Sequence, residues 1–562
     1  MKVNFSLLTC AISQIDKDRR NDLKIFFSGS KENFNLLKEY CDKEDINIST
    51  QVFKAESVFA VSIGAIYYCC LKISEGNKNI DTPYNYYNNV YQMIDNNVIF
   101  NSNVKSEKYN PKVIACIDFG TSGTDYCFAF NTPGKIELIY CGLPGTEGRN
   151  CKSPSEIIID KDYNMIKFGV YCKEYISNSQ IKDGEYYFRN IKMHLYENKT
   201  EIQPQNSQEK FPLEIIISKI LTEVKTEALK KIKNYDSNIK DKDIKWVVTV
   251  PAIWKDGSKQ VMIEASINAG LIQRDREISL FLSYEPEAAA YYCQNEGILI
   301  PENKPYIVCD LGGGTADIVC HMKIRINNQI KIKQVHEPIG GPYGSNEINK
   351  EIVKKVIIPF FGEDIYKKTL ENSTGEDFKD LFDFESNIQY FKESLSTKFN
   401  GIFQRKNIED SKITDYAEKE FTLESFINEL KIQCQREGPY KLDCTLFKYS
   451  TDSSLQDITN KFNKENKNLK ITSEVSKKRR EEKWYLYIPY EIMLDITIDF
   501  VNKTCKKIEE ILDNPRDMDI NSIDSILYVG GYFSSHVVFW LVKKKLIKSQ
   551  NLQLSKEQLF LD

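Results

Sequence analysis

A chain of 562 residues with 41% hydrophobic and 28% charged content is long enough for two or more packed domains and too apolar to be disordered throughout. A net charge of -4 and a pI near 5.9 argue against nucleic acid as a partner, because such binders concentrate excess Lys and Arg. The 15 cysteines are scattered without a C-x-x-C pair beside only four histidines, which argues against a zinc site or a disulfide framework and for reduced thiols in a reducing compartment, the cytoplasm.

The start, MKVNFSLLTCAIS, has an apolar patch broken by Asn4 and Ser6 and matches a signal peptide poorly. Residues 24–72 read as strand, Gly29-Ser30 turn, helix, strand and a last helix. The apolar run from Val58 to Leu71 in that helix is shorter than the ~20 residues that span a bilayer, so a core helix is expected and a membrane partner is not. The Asn- and Tyr-rich sequence that follows lacks sustained periodicity and is expected to be a linker, over residues 73–110.

Residues 113–130, VIACIDFGTSGTDYCFAF, predict a buried strand, a turn carrying Asp118, Gly120, Thr121, Ser122 and Gly123, and a second apolar strand. Glycines let backbone N–H groups approach a phosphate, and a carboxylate at a strand end can hold a hydrated cation. Alone, such a hairpin is common in β-rich proteins. The same order recurs at residues 306–324, YIVCDLGGGTADIVCHMKI, with Asp310, Gly312, Gly313, Gly314, Thr315 and Asp317. This repetition predicts two lobes facing one nucleotide; a merely flexible GGG turn does not explain a carboxylate at both strand ends. Short apolar runs such as Trp246 to Val250 and Ile307 to Cys309 alternate with helical stretches, which predicts an α/β protein with mixed sheets. Residues 449–483 are polar and highly charged and are expected to form an exposed insertion. Within it, Lys477 to Arg480 beside Glu481 and Glu482 read as a solvated charged turn rather than a nuclear-import patch. The chain has no G-x-x-x-x-G-K-S/T phosphate loop.

Between the two hairpins lie WVVTVPAIWKDGSKQVMIEASINAGL at 246–271 and SYEPEAAAYYC at 283–293; after them come IGGPYGSNEINKEI at 339–352 and SILYVGGYFSSHVV at 525–538. In order and spacing these five motifs resemble the ATPase domain of the 70-kilodalton heat-shock protein family. The wording GGPYGS, with YYFRNIKMHLY at 186–196 and WYLYIPYEIM at 484–493, is similar to the divergent branch called heat shock 70 kDa protein 12. The resemblance runs from about Pro111 to about Leu541 and is loose between about Gly401 and Lys483. It implies a two-lobed actin-like (ribonuclease H-like) fold with mixed sheets and flanking helices, lobe I over 111–303 and lobe II over 304–562. It also implies binding and hydrolysis of ATP to ADP with Mg2+, chaperone-like or regulatory action, and protein clients or co-chaperones as partners.

Residue by residue, the resemblance implies that Asp118 and Asp310 hold Mg2+ through its waters, and that Thr121, Ser122 and the run Gly312 to Thr315 cradle the phosphates. Glu285 and Asp317 would position the attacking water, with Lys192 reaching the γ-phosphate, although Lys182 and Lys199 are close to it in sequence. Gly340, Gly341, Gly530, Gly531 and Tyr532 would approach the nucleotide, and Lys392 and Ser396 would flank the adenine. Glu393 stands where the family has a basic residue that stacks there. Pro251 and Lys259 occupy positions through which the family relays nucleotide state, with Lys in place of Arg.

Two departures from the pattern are expected to matter. The sequence given stops at Asp562, soon after the adenosine motif, without the family's closing helix or a peptide-binding domain. Residues 1–72, with A-V-S-I-G-A at 60–65, resemble the tail of an upstream ATPase copy, the alternative being an unrelated small α/β segment. Two other functions stay open: a nucleotide-gated scaffold with little turnover, and a sugar kinase on the same fold, against which T-V-P-A and E-P-E-A-A-A count.

Overall fold

The computed structural model describes residues 111–549 except 133–134, 147–151, 179–180, 273–279, 296–299, 327–328, 374–377, 406–420, 467–468, 479–480, 514–522 and 524. The expected tail segment 1–72, its Val58 to Leu71 helix and the 73–110 linker lie outside the described residues.

β1 (Val113–Phe119) folds back through a tight turn into β2 (Gly123–Thr132), which pairs antiparallel with β3 (Lys135–Cys141). A two-residue strand, β4 (Ser153–Pro154), pairs with the start of β2. An annex follows, in which β5 (Ile157–Asp160), β6 (Met165–Phe168) and β7 (Glu185–Phe188) form a small sheet with α1 (Val170–Asn178). The short α2 (Ile191–Tyr196) and the β8–β9 ribbon (Glu201–Ile202 and Phe211–Pro212) lead into α3 (Leu213–Tyr235). β10 (Ile244–Val250) then returns parallel beside β1, and after α4 (Asp256–Asn268) β11 (Leu280–Tyr284) lies parallel beside β10. All residues of β1 and β10 are buried, as central strands covered on both faces require. α3 buries Ile216, Ile217, Ile220, Val224, Ala228 and Ile232, an apolar stripe at helical spacing, in the core that includes Ala115, Phe128 and Trp246.

α5 (Glu285–Asn295) starts directly where β11 ends, and β12 (Pro305–Leu311), β13 (Ala316–Ile326) and β14 (Gln329–Gly341) follow as an antiparallel meander. α6 (Asn346–Ile352) passes through a π-helical turn into α7 (Ile358–Phe361), then α8 (Glu363–Asn372), the long α9 (Phe378–Arg405) and α10 (Leu423–Glu437). A third sheet joins β15 (Tyr440–Asp443), β16 (Thr472–Lys478) and β17 (Glu481–Ile488), with α11 (Leu455–Glu465) before β16. α12 (Tyr490–Asp513), β18 (Ser525–Val529) and α13 (His536–Ser549) complete the described chain, and β18 pairs parallel with β12.

Both large sheets share one plan: a central strand with an antiparallel meander on one side and a parallel strand on the other, β10-β1-β2-β3 in the first and β18-β12-β13-β14 in the second. This doubling is what the repeated hairpin motif led us to expect. The polar 449–483 stretch is folded, because Leu455, Ile458 and Phe462 line one side of α11 and the Phe462 ring lies 5.2 Å from Phe360. Around the expected charged turn, Lys477 stands opposite Glu482 and Lys478 opposite Glu481 in paired strands, while residues 479–480 lie outside the described residues. No helix among the described residues is long and apolar enough to cross a membrane.

Candidate active site

Each central strand delivers an aspartate to the same point of its hairpin. Asp118 pairs across the first hairpin with Asp125, and Asp310 across the second with Asp317. The turns match as well: the Gly120 amide donates to the Gly123 carbonyl at 3.0 Å, and the Gly312 amide to the Thr315 carbonyl at 3.0 Å. The two tips meet. A Cβ on Gly313 would lie 1.7 Å from Ser122 Oγ, and one on Gly314 would lie 2.6 Å from Thr121 Cγ2, so only bare backbone allows this approach.

In the first hairpin, both oxygens of the buried Asp118 are engaged: Thr249 Oγ1 donates to Oδ1 at 2.6 Å and Lys152 Nζ to Oδ2 at 2.6 Å. The same ammonium lies 3.1 Å from Asp125, whose side chain is fully buried. Burial opposes the charge on Lys152, but Asp118 and Asp125 more than offset it and raise its pKa. Burial pushes Asp118 up as well, yet Lys152 and Lys192 outweigh it and hold that carboxyl below its ordinary value. Ser155 braces the turn through its hydroxyl, which donates to the Gly120 carbonyl at 2.6 Å.

The second hairpin is arranged differently. A Cβ on Gly530, which has φ +94°, would lie 2.2 Å from Asp310 Oδ1, so the glycine turn after β18 closes directly on that carboxyl. Asp317 Oδ2 accepts the Ala252 amide at 2.6 Å from the T-V-P-A loop, and its buried Oδ1 has no hydrogen-bond partner among the described residues. Among the described residues no ammonium or guanidinium is paired with Asp310 or Asp317. Burial, with Glu285 and Asp118 close by, pushes Asp310 up to about 7. Burial, Glu285 and Asp310 drive Asp317 well above the ordinary carboxylate range. Carbonyls of Gly314, Gly312 and Gly313 accept the amides of Gly344, Ser345 and Asn346 at 2.9, 3.0 and 2.8 Å, which fixes the shape of the loop.

Glu285, the first residue of α5, accepts from Lys192 of α2 at 2.5 Å, and the ammonium sits 5.6 Å from the centre of the Trp254 ring. Burial raises Glu285 and Lys192 opposes that rise. Of the three lysines close in sequence, Lys192 alone is placed here. The Lys182 amide donates to Glu185, and Lys199 pairs with Glu197 at the surface. A divalent cation fits this donor set, since Asp310, Asp317 and Glu285 crowd a buried space without enough positive charge to balance them. Among the described residues no three acidic, imidazole or thiol groups converge as a direct metal cage.

The expected purine-side residues also come together. Lys392 on α9 donates to the Ser345 carbonyl at 3.2 Å and stands 5.7 Å from the Tyr532 ring; burial pushes its pKa down to about 8. Ser396 bonds Ser535 at 2.7 Å, just beyond Gly530, Gly531 and Tyr532. Glu393 is exposed and accepts from Gln389 on its own helix. Gly340 and Gly341 lie across the ladder from Asp317 and Ala316, where a Gly340 Cβ would come within 2.2 Å of the Ala316 carbonyl. Lys259 is buried and donates to the Tyr284 hydroxyl at 3.1 Å, one turn of chain after Pro251 and the Ala252 amide that holds Asp317.

Comparison with protein-family models matches the Hsp70 protein family over residues 176–352. Over those residues the chain is similar to the Hsp70 family. Its mixed α/β arrangement, with two large sheets of like plan, agrees with the two-lobed actin-like ATPase fold. It is 27% identical over 325 residues to mouse heat shock 70 kDa protein 12A, covering 47% of this chain and 48% of that protein. It is 27% identical to the human 12A protein, with 48% of each chain covered, and 25% identical to human heat shock 70 kDa protein 12B, with 45% of each covered. The chain thus spans about half the length of the curated relatives it matches.

Three polar contacts of this site escaped the sequence reading: Asp125, Lys152 and Thr249. Asp125 had a signal, because it follows Asp118 by the same seven positions that separate Asp317 from Asp310. Lys152 had none, since nothing in K-S-P-S says that it folds back onto a carboxylate 34 positions earlier.

Proposed function

We propose that the chain binds ATP between the two hairpins and hydrolyses it to ADP with Mg2+. The observation that carries this reading is the pair of matched Asp–Gly hairpins whose bare tips meet above the buried Lys192–Glu285 pair. Asp310, with Asp118, would hold Mg2+ through its waters, and the ion when bound neutralises charge on the β- and γ-phosphates. Amides of Thr121, Ser122 and Gly313 to Thr315 receive the phosphates, while the Gly312 amide closes the turn on the Thr315 carbonyl. Glu285 and Asp317 orient the attacking water and accept its proton, a task that their raised pKa values suit. Lys192 balances charge that builds up on the transferring group. Gly340, Gly341, Gly530, Gly531, Tyr532, Lys392 and Ser396 form the ribose and purine side of the same cleft. Lobe closure coupled to a protein partner, a chaperone-like role and a cytoplasmic setting follow from the family resemblance.

The test is single-turnover hydrolysis of radiolabelled Mg-ATP beside Asp310→Ala, with nucleotide affinity measured on both. We expect the variant to bind nucleotide and to hydrolyse it at least ~100-fold more slowly. One observation favours a nucleotide-gated scaffold instead: Asp118 already has both oxygens occupied by Thr249 and Lys152. Wild-type binding without any product in a single turnover would establish that second reading.

A further inference from the structure

The first hairpin carries its own cation. We propose that Lys152 is a resident counter-charge of the nucleotide site, doing at Asp118 what a metal ion does elsewhere, so that the chain binds nucleoside di- and triphosphates without Mg2+. This rests on the nucleotide reading above and concerns how that site balances phosphate charge.

The placement is built rather than incidental. β4 pairs with the first residues of β2, with Ser153 opposite Thr124 and Pro154 opposite Gly123, which sets Lys152 at the hairpin turn. Its stem lies on Gly123, where an added Cβ would come within 3.1 Å of Lys152 Cβ. The ammonium then reaches two carboxylates at once, at 2.6 and 3.1 Å, whose side chains are 5% and 0% exposed while its own is 30% exposed. A charge held by two buried partners yet still reached by solvent can interact with a third anion as well. Thr249 fills the remaining Asp118 oxygen, so a hydrated metal meets a carboxylate already satisfied on both sides. Among the described residues Asp310 and Asp317 of the second hairpin have no such ammonium, and a metal there would have carboxylates to balance. The positive charge at the phosphates is therefore divided: fixed on lobe I, exchangeable on lobe II.

The experiment is calorimetric titration of ATP and ADP into the full chain in excess Mg2+ and in excess EDTA. The wild type is expected to lose no more than about threefold in affinity when Mg2+ is removed. The pair variant Lys152→Met with Asp125→Asn removes the ammonium and one of its two carboxylate partners, leaving Asp118 with its Thr249 hydrogen bond. Folded by circular dichroism, it should lose more than about tenfold in EDTA and much less in Mg2+. Lys152→Arg keeps the charge and should bind as the wild type does in EDTA. Wild-type binding that collapses in EDTA, or a pair variant that binds in EDTA as the wild type does, overturns the inference while leaving nucleotide binding intact. Absence of binding under both conditions overturns the nucleotide reading itself.

Discussion

The two hairpins have the same strand order, the same cross-strand aspartate pair and the same turn hydrogen bond, yet their charges are handled in opposite ways. In the first, Lys152 sits between Asp118 and Asp125 and holds the Asp118 carboxyl below its ordinary value. In the second, Asp310 and Asp317 are buried close to Glu285 and, among the described residues, without a paired ammonium, and their pKa values rise. Backbone geometry is therefore shared by the two halves, and side-chain electrostatics divide the labour. One half has its charge settled on folding, and the other holds a charge deficit that, under the function proposed above, a bound cation would relieve.

Removing the settled charge should cost most. Lys152→Met alone strands Asp118 and Asp125 in the interior, and we expect a loss of about 3 kcal/mol or more in denaturant unfolding. Most of that loss should return when Asp125→Asn is added, because the second change removes one of the two stranded charges. A loss that is unchanged by Asp125→Asn would mean that Lys152 acts through packing of its stem instead.

The second hairpin should respond with the opposite sign. A carboxyl whose native pKa stands near 7, against an ordinary 3.8, favours the native state only while it is protonated. Ligand-free wild type should thus lose stability, relative to Asp310→Asn, as pH rises from about 4 to about 7, with no further divergence above that. At neutral pH the variant should be more stable by about 1–4 kcal/mol, the upper figure being the full linkage and the lower allowing for relaxation. Thermal melts of both proteins across this range, in EDTA, give the comparison, and a gap independent of pH would refute the charge deficit.

Gly530 tests how closely the second half is built around Asp310. With φ +94° and no room for a Cβ beside Oδ1, Gly530→Ala should cost roughly 1–3 kcal/mol and weaken nucleotide binding, read from melts and titrations.

Legibility in the sequence followed the range of the interactions. The central strands and their aspartates could be read because V-I-A-C-I-D-F and P-Y-I-V-C-D-L are local patterns, apolar on both faces and closed by a glycine turn. The cluster of Lys392, Ser396 and Tyr532, to which the resemblance assigns the purine, came only through that resemblance, since no local pattern joins α9 to the turn after β18. Lys152 was invisible because a two-residue ladder and an ion pair place it, and neither leaves a periodicity. α11 was hidden for another reason: Leu455, Ile458 and Phe462 make a full buried stripe, but polar neighbours dilute it in any compositional window.

The smallest contrast concerns how each turn is braced, and here too the halves use different means to one end. The carbonyls of Gly120 and Gly312 occupy matching positions in their turns; Ser155 satisfies the first with its side-chain hydroxyl at 2.6 Å, and Ser345 satisfies the second with its backbone amide at 3.0 Å. Ser155 Oγ also bonds Thr124 Oγ1 at 2.8 Å in a buried place, whereas the Ser345 hydroxyl meets Lys392 at 3.3 Å. Ser155→Ala should therefore cost about 1–2 kcal/mol, the usual result of leaving a buried acceptor unpaired, and Ser345→Ala a few tenths. Unfolding both variants in urea measures that difference. Equal costs would mean that the Ser155 hydroxyl is replaceable by water or by a shift of the turn, and that the first hairpin owes its shape to Lys152 and the β2–β4 pairing alone.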